Sequence, residues 1–147
     1  MDSKEKCCCF FGHRDTPNGI KTRLTEAVEE LISSENVKSF YVGNQGVFDR
    51  MVYSVLQEMK EKYPQIKYAV VLAYLPTDKD LKNDHACNTI YPEGLETVPK
   101  RFAISKRNEW MIAKSTHCIC YVAHNFGGAA KYVERAIKRG LFVKNLS

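Results

Sequence analysis

The chain has 147 residues, of which 44% are hydrophobic and 27% are charged, a composition typical of one globular domain. No stretch approaches the ~20 consecutive apolar residues that a membrane-spanning helix requires, and the first residues show no cleavage site of a signal peptide. We therefore expect one domain over residues 1–147, located in the cytoplasm and without a membrane partner.

The net charge of +5 is concentrated in the last third of the chain. Residues 1–100 carry 13 basic and 15 acidic side chains, whereas residues 101–147 carry 9 basic and 2 acidic ones. This asymmetry indicates contact with an anion, either a phosphate-bearing ligand or a nucleic acid. A solvated, lysine-rich helix face is the simpler explanation.

The cysteines predict a reduced core. Most of them lie in apolar runs, and none has the CxxC spacing of a zinc site. Free cysteine packs readily as a small apolar residue, so we expect buried thiols, no metal and a reducing compartment. The residues are Cys7, Cys8, Cys9, Cys87, Cys118 and Cys120.

Apolar runs that predict strands alternate along the chain with segments of helical spacing. In chain order they are a strand over 7–11, a helix that Thr16 caps and Pro17 opens, a strand over 39–42 and a helix over 48–59. A strand over 68–75, an irregular loop over 76–100, a helix over 102–114 and a strand over 118–122 follow. A helix from Gly127-Gly128 to Gly140 and a strand over 141–143 complete the pattern.

This alternation predicts an α/β fold, a Rossmann-like three-layer sandwich of five mainly parallel strands with helices on both faces. The expected strand order is 3-2-1-4-5. Ligands of such sheets bind outside the carboxyl ends of the strands, where the strand order reverses. Four segments are expected at that edge, namely 12–16, 43–46, 76–100 and 123–128.

Two of these segments join a strand to the following helix. Gly12, His13 and Arg14 follow the first strand, where the tight turn and a helix N-terminus suit a phosphate. Gly43 and Asn44 follow the second strand and can provide a phosphate cradle or a side-chain amide for a base or ribose. Ordinary turn and capping roles explain the same residues. Asp49, one turn further, is as consistent with helix stabilisation as with function.

The third segment is the strongest candidate for a phosphate site, because its paired glycines open a helix. An arginine from the preceding helix and a carboxylate beyond the glycines would suit chemistry on a ribose. A solvent-exposed glutamate paired with a lysine is the simpler view of that carboxylate. The candidates are His124, Asn125, Gly127 and Gly128 for binding, Arg107 and Asn108 on the preceding helix, and Glu134.

These motifs resemble the SLOG superfamily, which unites DprA-type proteins, Lonely Guy enzymes and YpsA-like proteins, and the resemblance is closest to the YpsA-like branch. It implies a Rossmann-like fold that binds a nucleotide or a nucleotide derivative such as AMP, ADP-ribose or an NAD-derived signal, as a ligand sensor. No cofactor is implied. The motifs are Phe11-Gly12-His13-Arg14, Arg107-Asn108-Glu109-Trp110-Met111 and Gly127-Gly128 with the helix that follows.

The similarity to Lonely Guy enzymes implies an alternative activity, phosphoribohydrolysis of nucleoside 5′-monophosphates. Alignment on the glycine pair places Arg107 and Glu134 at the catalytic arginine and glutamate of that family. Ala130-Lys131 stands where the family pattern PGGxGTxxE has Gly-Thr.

A third function, binding of single-stranded nucleic acid, is ranked last, because few aromatic residues accompany the basic ones. A nucleic-acid partner is thus expected to be unlikely. Dimerisation through a sheet edge or an outer helix face is possible for a domain of this kind.

Overall fold

The computed structural model describes residues 5–74 and 89–147. In these residues six parallel strands form one sheet in the order β4-β3-β2-β1-β5-β6. The strands are β1 (Cys7–Gly12), β2 (Ser39–Val42), β3 (Lys67–Val71), β4 (Thr89–Ile90), β5 (His117–Tyr121) and β6 (Phe142–Asn145).

Four α-helices of the described residues cover the two faces of this sheet. They are α1 (Lys21–Ser33), α2 (Gly46–Lys62), α3 (Ala103–Lys114) and α4 (Gly128–Lys138). Short 3-10 turns occupy Asn18–Ile20, Leu95–Thr97 and Lys100–Phe102. None of the described helices is long and apolar enough to span a membrane.

β1 lies in the middle of the sheet and is buried on both sides. Cys8 and Phe10 pack into the core formed with α1 and α2, whereas Cys9 and Phe11 pack into the core formed with α3 and α4. Side chains alternate along a strand, so a run of consecutive apolar residues fills both cores at once. The predicted three-layer α/β architecture is thereby confirmed.

The described cysteines are free thiols buried in these cores. Cys9 lies opposite Cys118 on the neighbouring strand. Burial raises the pKa of Cys8 and raises that of Cys120 to about 12, so these thiols stay protonated and unreactive. Among the described residues no group of three or more His, Cys, Asp or Glu side chains is placed to hold a metal ion. Cys87 lies outside the described residues.

Two details differ from the expectation. A sixth strand, β4, pairs with β3 inside the segment predicted to be an irregular loop, and the Leu72 N–H donates to the Ile90 carbonyl at 2.8 Å. The order of the other five strands is the predicted one. β3 ends at Val71, before the predicted end of its apolar run. Of the predicted loop, residues 76–88 lie outside the described residues.

The start of the first helix is also later than predicted. The Thr16 hydroxyl donates to the His13 carbonyl at 2.6 Å and closes a turn, so it caps no helix. A 3-10 turn follows, and α1 begins only at Lys21. The segment from Gly12 to Thr16 therefore offers a tight turn to a ligand, and the prediction of a helix N-terminus there is wrong.

Candidate functional site

A crevice of about 440 Å³ lies at the carboxyl ends of β1, β2 and β5. β1 lies between β2 and β5, and the strand order reverses there. Open parallel sheets bind their ligands at such a reversal. α3 and the N-terminus of α4 form the opposite wall. The residues of the crevice that the sequence singled out are Gly12, His13, Arg14, Gly43, Arg107, Asn108, His124, Gly127 and Gly128.

Arg107 of α3 is the buried cation of the crevice, with 2% of its surface exposed. Its Nε donates to the Asn108 Oδ1 at 2.8 Å, and its Nη1 donates to the Val71 carbonyl, at the end of β3, at 2.9 Å. Burial lowers the pKa of its guanidinium, and the nearby Asp49 carboxylate opposes that shift. A guanidinium remains charged in proteins, so Arg107 places a fixed positive charge against the sheet.

Gly43 leaves room for this arrangement. A Cβ at position 43 would lie 2.8 Å from Arg107 Nη1 and 2.9 Å from Asp49 Oδ2. The absence of a side chain here lets the guanidinium and the carboxylate approach the same point at the end of β2.

Asp49 lies in the first turn of α2, and its Oδ2 accepts the Gln45 backbone N–H at 2.8 Å. This bond satisfies one of the N–H groups at the helix start, as the carboxylate of a capping box does. Burial raises the pKa of Asp49 to about 6, although the Gln45 bond and Arg107 both favour the ionised form. The carboxyl therefore has a structural role and titrates close to neutrality.

Gly12 forms the floor of the crevice where β1 ends. A Cβ there would lie 2.3 Å from Cγ of Phe48, a ring that is 1% exposed. Phe48 belongs to α2, so the missing side chain brings β1 and α2 together beneath the crevice.

Three stacked aromatic rings form a column, here called the rim, that runs outward from the crevice; His13 and His124 line the crevice, and Phe126 lies just outside it. His13 stacks on His124 with the ring centroids 3.7 Å apart, and His124 stacks on Phe126 at 3.9 Å. The rings are nearly parallel, at 11° and 20°. The first ring is buried and the last is 68% exposed, so the column runs from the protein interior to the solvent.

Hydrogen bonds fix the orientation of both histidines. His13 Nε2 accepts the Ala123 backbone N–H at 3.1 Å, which requires a neutral ring with its proton on Nδ1. His124 Nδ1 lies 3.0 Å from the Phe126 carbonyl, which can only accept, so His124 also carries a proton on Nδ1. Burial and the neighbouring His124 lower the pKa of His13, in agreement with a neutral ring.

The N-terminus of α4 opens into the same crevice. Gly127 has a φ of +95°, a conformation that side chains rarely permit, and no side chain caps the helix. A Cβ at Gly127 or Gly128 would have no neighbour within 4 Å, so the space above these residues is open. The first N–H groups of a helix have no partner within the helix, and the start of α4 lines the crevice.

The loop that carries the rim begins from a fixed point. Asn145, the last residue of β6, accepts the Val122 N–H with Oδ1 and donates from Nδ2 to the Val122 carbonyl, both at 3.0 Å. Its side-chain amide imitates a strand peptide and holds the chain just before His124.

The structure leaves three predicted residues outside the crevice. Asn44 and Asn125 are exposed and do not line it. Glu134 is 69% exposed, and its carboxylate pairs with Lys138 at 3.4 Å, one helical turn further on α4. Arg107 and Glu134 are therefore not brought together, because one is buried against the sheet and the other faces the solvent.

The crevice residues absent from the predicted site residues include Gln45, Asp49 and Tyr132. Tyr132 is 7% exposed, and its hydroxyl donates to Ser105 Oγ at 2.7 Å, which joins α4 to α3. The sequence did point to Asp49, because it is a carboxylate in the first turn of a helix that follows a glycine turn. Tyr132 had none, since its spacing is that of an ordinary core residue of α4.

The fold is similar to two solved DprA structures. The X-ray structure of DNA processing protein A from Streptococcus pneumoniae matches with a TM-score of 0.70 and 15% identity, over 97% of this chain and 50% of that one. DNA processing protein A from Helicobacter pylori matches with a TM-score of 0.60 and 16% identity, over 95% of this chain and 65% of that one. The chain thus spans about half to two thirds of these neighbours, and the likeness at this identity concerns the fold.

The Helicobacter pylori structure is described by its unique mode of binding single-stranded DNA. The expectation that a nucleic acid is an unlikely partner is therefore wrong, because a protein with this fold is described by such binding. Phe126 adds an exposed aromatic ring to the basic last third of the chain.

No curated protein sequence matches the chain significantly. The model of the YspA SLOG family matches residues 4–141, which is nearly the whole length and includes every residue of the crevice. The predicted resemblance is confirmed by this match, and the chain belongs to the YspA SLOG family.

Proposed function

We propose that the crevice binds the phosphate of a nucleotide or of a nucleotide derivative. The observation that carries this proposal is the uncapped N-terminus of α4, which opens into the crevice that also holds Arg107. Free N–H groups and the helix dipole favour an anion at such a position. The fixed positive charge of Arg107 adds to the positive electrostatic potential at the start of this helix.

The donors of Arg107 support this assignment. Its two described hydrogen bonds use Nε and Nη1, whereas a guanidinium has five N–H donors. The bonds orient the group and use only part of its donors, and Arg107 lines the crevice. Asp49 opposes an anion when it is ionised, so the site favours a ligand whose phosphate lies nearer to α4 than to α2.

Calorimetry with AMP, ADP-ribose and NAD tests the proposal, and a Kd below about 1 mM for any of them is expected. The Gly128→Asp variant should weaken binding at least tenfold, which is about 1.4 kcal/mol. An aspartate at the first position of α4 favours the helix, so the fold should be retained.

Gly128→Asn is the matched control, because it has the same size without the charge. The open space at Gly128 accommodates either side chain. Equal affinities of the two variants, or no binding by the wild type, would contradict a phosphate site at this helix.

A second candidate is the binding of single-stranded nucleic acid, favoured by the fold shared with a protein described by that activity. The excess of 9 basic over 2 acidic residues after position 100 is consistent with it. Fluorescence anisotropy of a labelled oligothymidylate is the test, with affinity expected to fall steeply between about 50 and about 200 mM salt. An affinity that does not change with salt would exclude this candidate.

A further inference from the structure

We infer that the exposed face of Phe126 is a stacking site for the base of the bound nucleotide. The inference rests on the proposed function, since it places the base beside a phosphate held at the start of α4. It concerns a residue that neither the family match nor the sequence motifs assign to a ligand.

The first observation is the shape of the rim. One face of the Phe126 ring lies against His124, and the ring is nevertheless 68% exposed, so its other face is open to the solvent. The column His13–His124–Phe126 therefore ends in a flat, unoccupied ring face. A nucleobase would continue the column as its fourth ring.

The second observation is the rigidity of the platform. His13 is tied to the Ala123 N–H and His124 to the Phe126 carbonyl, so the loop cannot turn the rings apart without losing these bonds. Asn145 holds Val122 at the start of the same loop. These bonds hold the two histidine rings and the Phe126 carbonyl, and the Phe126 ring is held by its stacking on His124. A base would therefore meet a platform whose first two rings are already in place.

The third observation is the position of Phe126 in the chain. It directly precedes Gly127, whose left-handed conformation starts α4. A phosphate on the first turn of α4 and a base on Phe126 would thus contact adjacent segments of backbone. The rings of His13 and His124 do not offer this face, because each is covered by its neighbour in the column.

Stacking on an aromatic ring tolerates different bases, since every base has a π face. The inference therefore predicts weak discrimination between bases and strong discrimination between ligands with and without a base. AMP and ribose 5-phosphate form the informative pair, because they share the sugar and the phosphate.

The experiment compares binding of AMP and ribose 5-phosphate to the wild type and to Phe126→Ala. We expect Phe126→Ala to weaken AMP binding about 5- to 150-fold, the range for removal of one base-stacking partner, and to leave ribose 5-phosphate unchanged. Phe126→Trp should retain AMP binding, and its added indole fluorescence should change with AMP and not with ribose 5-phosphate. Phe142→Ala is the matched control, since Phe142 is 72% exposed on β6, away from the crevice.

The outcomes separate the two proposals. If the wild type binds both ligands equally, or if Phe126→Ala binds AMP as the wild type does, the stacking site is refuted and the phosphate site stands. If the wild type binds neither ligand, the phosphate site fails and the stacking inference fails with it. An equal loss in Phe142→Ala would also refute a specific role for Phe126.

Discussion

Gly43 and Arg107 are packed so closely that a side chain at position 43 would have to displace the guanidinium. The point that a Cβ would occupy lies 2.8 Å from Arg107 Nη1, which is held by the Val71 carbonyl. The turn after β2 thus leaves the space in which the guanidinium of α3 lies, and both residues line the crevice.

Gly43→Ala should therefore displace Arg107 and disturb the crevice. We expect a loss of about 1–3 kcal/mol in the free energy of unfolding, as for overpacking of a buried site. AMP affinity should fall by about tenfold, or about 1.4 kcal/mol. Chemical denaturation and calorimetry measure the two effects.

Gly19→Ala is the control for this substitution, because a Cβ at position 19 meets no atom within 4 Å. It should change stability by no more than about 0.5 kcal/mol. Identical behaviour of the two variants would mean that Arg107 can move without cost.

Gly12 and Phe48 form a second close contact, in which a side chain at position 12 would collide with a buried ring. Gly12→Ala should destabilise the protein by about 3 kcal/mol, because the ring cannot leave the core. In the double variant with Phe48→Leu, part of this loss should be recovered, with a coupling of about 1–2 kcal/mol. A strictly additive double-mutant cycle in urea denaturation would show that the two positions do not interact.

Asp49 should make stability and ligand binding depend on pH. Its folded pKa of about 6 is above its ordinary value of 3.8, so burial favours the neutral form. The stability it contributes is fully present below pH 3.8 and is lost as the pH rises through 6. Asp49→Asn cannot ionise, so its stability relative to the wild type should increase over this range, by about 2–3 kcal/mol.

Denaturation of both proteins between about pH 4 and about pH 7 tests this expectation. Asp15→Asn, which alters an exposed carboxyl of the same crevice, should follow the wild-type profile. Asp49→Asn should also bind AMP more tightly above pH 6, because it removes a negative charge near the anion. A constant difference between wild type and Asp49→Asn at every pH would contradict the buried position of this carboxyl.

His13 should produce the opposite dependence on pH. Its folded pKa is below 6.5, so the unfolded chain takes up the proton first as the pH falls. The stability from neutral His13 is present above pH 6.5 and is lost as the pH falls through the lowered pKa. His13→Gln, whose amide oxygen can accept the Ala123 N–H, should lose less stability in acid.

The titration of the His13 ring in NMR spectra is the direct measurement, together with denaturation at about pH 5 and about pH 7.5. His117→Gln serves as the comparison, because His117 is also buried with a lowered pKa but lies outside the crevice. A titration of His13 at or above its ordinary value of 6.5 would disprove the neutral, hydrogen-bonded ring.

The succession of the main strands along the chain was predictable, because each strand is a separate apolar run and amphipathic helices separate the runs. β4 was not, since Thr89–Ile90 has too few residues for a recognisable pattern and forms a strand only where the edge of β3 accepts it. Thr16 illustrates a local competition, in which its hydroxyl bonds to the His13 carbonyl and does not cap a helix.

The crevice was predictable in its position and less so in its chemistry. Parallel strands end at one edge, and this rule located Gly12, Gly43 and Gly127 together. The burial of Arg107 and the exposure of Glu134 depend on how α3 and α4 are rotated against the sheet. The helical spacing of apolar residues predicted neither of them. The ring column on His13 arises from two separate loops and leaves no pattern in either one.

The side-chain amide of Asn145 has a consequence for the lifetime of the protein. Asn145 is exposed, and slow hydrolysis of its amide would replace a donor by a negatively charged carboxylate next to the Val122 carbonyl. One of the two bonds to Val122 would become a repulsion, and the loop with His124 and Phe126 would be held there by the Val122 N–H bond alone. Chemical ageing at a single residue of the last strand would thus loosen a loop that begins at Val122, 23 residues earlier in the chain.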